Sequence, residues 1–230
     1  MMNVQIKEIF EKVKSENRKA LLEHEAKEIL RLLDLPLPPS KLVKTEEEAI
    51  KAFNEFNGPV AMKVMSPKVL HKTDEQAVKI GIATVEEVKE TFNDYMNRFA
   101  EKEVVGILVE KMVAKGVELI IGSQIDKTFG PVILVGPGGI FVEALKDVVF
   151  RMCPCSLEQA LSAIDEIKTQ KLLNGFRGLA PVNREQLAEI MSKLSNLAWE
   201  YREYIGEMDI NPLIANSDGI FPVDARIILK

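Results

Sequence analysis

Asn216-Ser217-Asp218-Gly219 is turn material near the C-terminus, and it lets the strands on either side be registered by counting. A two-residue turn at Ser217 and Asp218 pairs Asn216 with Gly219 and, counting outward, sets Asn211 opposite Asp224. Their Cβ atoms then stand about 4.5–5.5 Å apart on one face, close enough for an amide oxygen and a carboxylate to share a hard cation. Asp209, two residues before Asn211, emerges on the same face. Such sparse oxygen ligation suits Mg2+, which keeps waters and completes its shell from substrate phosphates. The competing reading is a solvated strand face carrying polar residues.

Other residues point to phosphate chemistry. His71 lies in the polar loop Ser66-Pro67-Lys68-Val69-Leu70-His71-Lys72-Thr73-Asp74. A neutral imidazole is a competent nucleophile toward phosphorus; Lys72 then helps hold the transferred phosphoryl and Asp74 orients a ring N–H. An ordinary loop histidine is the alternative. His24, between Glu23 and Glu25 on a helical stretch, reads as a solvated surface residue. Lys63 interrupts the apolar run Val60-Ala61-Met62-Lys63-Val64-Met65, so its ammonium either snorkels to water or meets an anion such as phosphate. Gly136-Pro137-Gly138-Gly139 follows a strand and can bring backbone N–H groups to an anion, without the spacing of a P-loop or a dinucleotide fingerprint. Arg151 and Arg177 are phosphate ligands or surface ion-pair residues. Glu110 and Glu118 sit on two strand runs joined by Ala114-Lys115-Gly116; a hairpin there centres on Lys115 or Ala114, and centre 114 sets the two carboxylates face to face, an exposed, screened face being the alternative. Like charges so placed cost up to about 1 kcal/mol, which hydrogen bonds from an amino group or ribose hydroxyls offset.

The elements that must hold these residues follow from hydropathy. Residues 1–34 read as helix, stopped by Leu35-Pro36-Leu37-Pro38-Pro39. Short strands then alternate with helices: strand 41–43, helix 45–56 with Thr45 and Glu48 as a capping box, strand 60–64, strand 78–82, and a helix capped by Thr84 and Glu87 to about 99. Strands 104–113, 117–125 and 132–135, helices 157–166 and 184–204, and a final strand pair, 205–215 and 219–229, complete a mixed α/β chain. Two intimately connected lobes are expected, residues 1–103 with the N-terminal helical segment and residues 104–230 with the cation-binding hairpin.

Composition bounds the function. At 230 residues, 47% hydrophobic and 28% charged, the chain has the profile of a folded, water-soluble protein. A net charge of -5 with scattered Lys and Arg lacks the basic stripe of a nucleic-acid binder. The longest uncharged stretch, residues 128–142, is too short and too broken by Gly and Pro for the roughly 20 residues of a membrane span. The first residues, with Lys7, Glu8, Glu11, Lys12 and Lys14, are no signal-peptide core. Cys153 and Cys155 flank Pro154 at a spacing that favours neither a disulfide nor a zinc site, so the cytoplasm is the expected compartment.

Jointly, Ala61-Met62-Lys63-Val64, Ser66-Pro67, His71-Lys72-Thr73-Asp74, Glu110 with Glu118, Gly138-Gly139-Ile140-Phe141-Val142-Glu143, Asp209-Ile210-Asn211-Pro212-Leu213 and Val223-Asp224-Ala225 resemble the ATP-grasp fold of the β subunits of ADP-forming acetyl-CoA synthetases, relatives of succinyl-CoA synthetase. The resemblance spans nearly the whole chain and implies two lobes with ADP or ATP between them. It assigns Lys63 to the nucleotide phosphates, Glu110 with the Lys111-Met112 backbone to an adenine hinge, and Glu118 to the nucleotide. Asn211 and Asp224 become magnesium ligands. Asp209 matches the glutamate that steadies phosphohistidine, one methylene shorter, and His71 relays phosphate toward ADP. Where the family often carries Val-Gly-Gly after Asp74, this chain has Glu75-Gln76-Ala77. The fold consumes all 230 residues, so a partner is expected to supply the CoA and acyl sites: an α subunit, in an αβ heterotetramer or larger. The implied reaction takes acyl-CoA, ADP and phosphate to carboxylate, CoA and ATP. The alternatives are an ATP-grasp carboxylate–amine ligase working through an acyl phosphate, and a non-catalytic nucleotide-sensing subunit.

Overall fold

The computed structural model describes residues 3–69, 75–139 and 147–230; His71, Lys72 and Asp74 lie outside them. The helical periodicity of the first residues resolves into two helices, because Asn17 takes a left-handed φ of 54°. α1 (Val4–Ser15) is capped by Asn3, whose side chain accepts the Gln5 amide, and α2 (Glu23–Leu32) follows. The chain between them pairs with its far end, Ala20 bridging to Ile228. The proline-rich segment then leads out of one compact unit into another, Pro38–Val113.

That smaller unit holds β1 (Ser40–Val43), α3 (Glu46–Phe56), β2 (Val60–Met65), β3 (Val78–Ile82), α4 (Val85–Arg98) and β4 (Gly106–Lys111). Thr45 accepts the Glu48 amide, and Thr84 and Glu87 close a full capping box, so both helices begin where their side-chain oxygens satisfy otherwise orphaned N–H groups. The strands form an antiparallel sheet in the order β1-β4-β2-β3. Val60, Met62, Val64, Ile107 and Val109 alternate onto one face and meet Ala52, Phe56, Val88 and Phe92 from the helices.

The larger unit, Ala114–Lys230 with Met1–Leu37, contains β5 (Val117–Asp126), β6 (Gly130–Pro137), β7 (Val149–Met152), α5 (Leu157–Glu166), α6 (Gln170–Leu173), α7 (Arg184–Glu200), β8 (Ile205–Asn216), β9 (Gly219–Pro222) and β10 (Arg226–Leu229). Its six strands run β10-β8-β5-β6-β7, with β9 also on β8, and all the pairings are antiparallel. Phe10, Ile29 and Leu30 from the N-terminal helices join Leu187, Met191 and Leu194 of α7 over this sheet. Among the described residues no helix is long and apolar enough to cross a membrane.

Two expectations change. The division at residue 103 does not hold: β4 is an inner strand of the small sheet, and the N-terminal helices pack on the large one. The hairpin joining the runs at 104–113 and 117–125 is absent as well. β4 pairs with β1 and β2, and β5 with β6 and β8, so Glu110 faces Ser40 and Ala61 while Glu118 faces Ile214. The joint does not fold back because it is held to the end of β8: Asn216 Nδ2 donates to the Ala114 carbonyl at 3.0 Å, and a Cβ on Gly116 would lie 2.1 Å from the Ala215 carbonyl oxygen.

Phe10 tests this division. It is fully buried, with its ring centroid 5.4 Å from those of both Tyr201 and Tyr204. Phe10→Ala is expected to cost about 3–5 kcal/mol in denaturant unfolding. Hydrogen exchange should quicken in β5–β10 and leave β1–β4 protected; loss of protection in β1–β3 instead would return α1 to the first lobe.

Candidate functional site

The site in the large unit is built on β8. Along β9 the register runs from Asn216 opposite Gly219 to Leu213 opposite Pro222, and it resumes on β10 with Asp209 opposite Arg226 and Met208 opposite Ile227. Asn211 and Asp224 therefore stand opposite each other across the short gap, in the register that the turn arithmetic predicts. The Val223 N–H bonds the Pro212 carbonyl at 3.0 Å within that gap. The other edge of β8 departs from simple alternation: Leu119 faces Leu213 but Ile121 faces Ile210, so Asn211 and Pro212 together oppose Ile120. This is a β-bulge, a device that re-aims side chains. Met208 and Ile210 are buried in the core, while Asp209 and Asn211 are half-buried on the opposite face.

β6 delivers two glycines to this face. Gly138 N–H donates to the Glu118 carbonyl at 2.8 Å, and Gly139 N–H donates to Asn211 Oδ1 at 3.2 Å. Both amides thus bond within the chain rather than standing open to an anion, and the glycines serve close approach. Gly139 has φ 59°, and a Cβ there would lie 1.9 Å from Glu118 Oε2. Glu118, Gly138, Gly139 and Asn211 are brought together, and Glu118 arrives without Glu110.

Electrostatics single out Asp209. Burial, then the neighbouring Asp224 and Glu207 carboxylates, push its pKa up to about 6 against the pull of Arg226. Its Oδ1 is buried without a hydrogen-bond partner. Asp224 Oδ1 accepts the Ala225 amide at 2.9 Å. An amide oxygen, a carboxylate and a neighbouring carboxylate oxygen without a partner form a donor set that fits a hard, oxygen-seeking cation. Among the described residues no group of three or more His, Cys, Asp or Glu side chains is placed to hold a metal, so a cation here would draw most of its shell from water and substrate. Glu207 and Arg226 were missed in the sequence, yet the same register count that pairs Asn211 with Asp224 also sets Arg226 opposite Asp209.

In the small unit Lys63 does not snorkel. It is 5% exposed, and its Nζ lies 3.0 Å from Glu110 Oε1 on the adjacent strand. Ala61 faces Glu110 and Lys63 faces Leu108, so the ion pair is the diagonal one across β2 and β4. Removing both charges from water costs several kcal/mol per ion, so the pair adds little net stability; what it does is hold a cation on the sheet. The Lys111 and Met112 amides donate to the Pro39 and Pro59 carbonyls, both at 2.9 Å. Arg151 stays apart from the glycine cluster: on the edge strand β7 it binds Glu166 at 2.6 Å, opposite Ile133. That position lies five residues along β6 from Gly138, about 16 Å at strand rise. Arg177 stacks on Phe176, 5.2 Å from its ring centroid. His24 is not a solvated helix residue; it is half-buried and its Nδ1 has no partner, because Glu23 and Glu25 on either side are themselves buried.

Two measurements follow from this geometry. Gly139→Ala must displace the Glu118 carboxylate and hold an alanine at a left-handed φ, so nucleotide affinity should fall by about tenfold or more in calorimetry alongside a modest loss of melting temperature; unchanged affinity would separate Glu118 from the site. The raised Asp209 pKa means that the fold holds a proton more tightly than the unfolded chain, so stability is lost as pH climbs from about 4 through 6. In the metal-free chain Asp209→Asn should therefore unfold later than the parent at pH 7, the gap shrinking below pH 4. Equal midpoints at pH 7 would contradict the burial of that charge.

A family model described as an ATP-grasp domain matches residues 12–229. The chain is 47% identical over 227 residues to the acetate–CoA ligase (ADP-forming) I subunit beta of Pyrococcus furiosus, covering 97% of each. The acetyl-coenzyme A synthetase 1 of Ca. Korarchaeum cryptofilum, solved with coenzyme A, Ca-AMPCP and HgCl+, matches with a TM-score of 0.92 and 42% identity over 97% of this chain and 99% of that one. The same enzyme with coenzyme A and Mg-AMPPCP, its phosphohistidine segment pointing towards the nucleotide site, matches with a TM-score of 0.86 and 40% identity over 98% and 100%. With Lys63, Glu118, Asn211 and Asp224 on a mixed fold of two antiparallel sheets, this chain belongs to the ATP-grasp family, among the β subunits of the ADP-forming acetate–CoA ligases.

Proposed function

We propose that this chain is the nucleotide-binding β subunit of an ADP-forming acetate–CoA ligase and that it passes a phosphoryl group from His71 to ADP. The observation that carries the reading is the convergence of Glu118, Gly139 and Asn211, with Asp224 in register opposite Asn211, in a chain alike over its whole length to such subunits. Lys63, 3.0 Å from Glu110, is assigned to a nucleotide phosphate. The Lys111 and Met112 backbone, whose amides donate to the Pro39 and Pro59 carbonyls, is assigned to the adenine amino group. Glu118 accepts from the nucleotide's hydroxyls.

Asn211 Oδ1 and the Asp224 carboxylate would hold Mg2+, which when bound neutralises and orients the phosphates. In the transfer itself an ADP oxygen attacks the phosphorus on His71; a P–O bond forms as the P–N bond breaks, and the imidazole nitrogen keeps the electron pair, leaving a neutral ring whose other nitrogen carries the N–H throughout. Lys72 balances charge on the moving phosphoryl, and Asp74 orients the ring. Asp209 is assigned to accept the other imidazole N–H of the phosphorylated histidine. A separate α subunit, in an αβ heterotetramer or larger, supplies the CoA and acyl sites and loads the phosphate.

The decisive variant is His71→Ala in the assembled complex. Acid-labile, base-stable phosphate on this chain should vanish, and ATP synthesis from acyl-CoA, ADP and phosphate should fall by about 10³-fold or more while ADP binding persists. Normal ATP synthesis by that variant would mean that the partner phosphorylates ADP directly.

A further inference from the structure

Ser66 opens the segment that carries His71, and it is 3% exposed. Its Oγ donates to the Lys102 carbonyl and accepts the Lys68 amide at 3.0 Å, and the Val69 amide closes a turn on the Ser66 carbonyl at 3.3 Å. Val69 is itself buried among the core residues of the small unit. The far foot of the segment is held at the same end of α4. Arg98, in the last turn of that helix, donates through one nitrogen to Asp94 at 3.1 Å and through another to the Glu75 and Gln76 carbonyls at 3.3 and 2.8 Å. Its guanidinium also lies 5.0 Å from the Phe99 ring centroid, so an aromatic face and a carboxylate together orient the fork. Gln76 takes a left-handed φ of 51°, a conformation that an L side chain enters only at a cost. A guanidinium spanning the carbonyls on both sides of its Cα holds that turn. Ala77 then joins the sheet, its carbonyl accepting the Val64 amide at 2.9 Å.

We propose that Ser66 and Arg98 are positioning residues for phosphoryl transfer through His71, pinning the two feet of its segment to the end of α4 and the turn that follows it. The inference rests on His71 being the residue that carries the phosphoryl group. Two residues of chain reach at most about 7 Å, so a fixed Val69 bounds where the imidazole of residue 71 is presented, and a fixed Gln76 takes the slack out of the return. Phosphoryl transfer needs the attacking atom, the phosphorus and the leaving atom close and aligned, so slack in the backbone that carries the imidazole costs rate rather than nucleotide affinity. None of these contacts involves Glu118, Gly139 or Asn211, so binding and transfer are separable.

The test is Arg98→Met in the assembled complex, read by single-turnover labelling of this chain from Mg-ATP, in which the γ-phosphorus gains its bond to the His71 nitrogen as the bond to ADP breaks. The rate of acid-labile labelling should fall about tenfold or more. ADP affinity and the KM for ATP should stay constant, the split expected of a group felt in the chemical step. Arg98→Lys keeps the charge without the fork that spans two carbonyls, and it should recover only part of the lost rate. Labelling at the parent rate, or rate and affinity falling together with a lowered melting temperature, would make the contacts purely structural and overturn the inference. Should Arg98→Met not fold, Ser66→Ala releases the other foot with a smaller change and is read the same way. His71→Ala in parallel separates the layers. If that variant keeps its label, the reading of His71 is wrong and this inference falls with it; if it loses the label while the Arg98 and Ser66 variants label at the parent rate, only the positioning role fails.

Discussion

β8 is paired along both of its edges, and the two pairings disagree by one residue. Toward β9 and β10 the count never slips between Gly219 and Ile228, while toward β5 an extra residue enters between Ile210 and Leu213. Two hydrogen-bonded neighbours cannot both be satisfied by a flat strand under that condition, so the chain bulges at Asn211–Pro212. Much of the large unit's polar chemistry depends on this. The bulge re-aims Asn211, whose Oδ1 accepts the Gly139 amide, on the same side as Asp209 and away from the core.

Close approach is the second constraint, and it explains the glycines better than anion cradling does. Gly138 lies against the backbone of Leu119, where a Cβ would come within 2.5 Å of its carbonyl oxygen, and Gly139 lies against the Glu118 carboxylate. Side chains there would push β6 off β5 or drive Glu118 out of place. The glycine run therefore acts on packing first and on function through it: it lets a carboxylate, an amide oxygen and two backbone amides occupy one small region.

Charge is distributed differently in the two units. The small unit buries an ion pair, Lys63 with Glu110, whereas the large unit sets Asp224 and Glu207 near Asp209, with Arg226 pulling the other way. An ion pair can be buried at little net cost. At Asp209 burial first, and then the neighbouring carboxylates, raise the pKa, and a cation brought near would relieve the charge. Phosphoryl transfer, which is chiefly positioning and charge neutralisation, calls for both arrangements.

Much of this was legible in the residues alone. Helix starts at Thr45 and Thr84, the strands around Lys63 and Glu118, and the facing of Asn211 and Asp224 all follow from caps, alternation and a turn, because those signals act within a few residues of chain. Three things belonged to the tertiary structure. Strands β4 and β5 carry the same hydropathy whether they form a hairpin or join separate sheets, and only the hold of Ala114 and Gly116 on the end of β8 decided it. The bulge at Asn211–Pro212 needed both neighbours of β8, which a count from one turn cannot contain. Lys27 and Glu23 look like any exposed helical pair at i, i+4; both are buried, with Lys27 donating to a carbonyl 196 residues away, and a local pattern holds no record of so distant a contact.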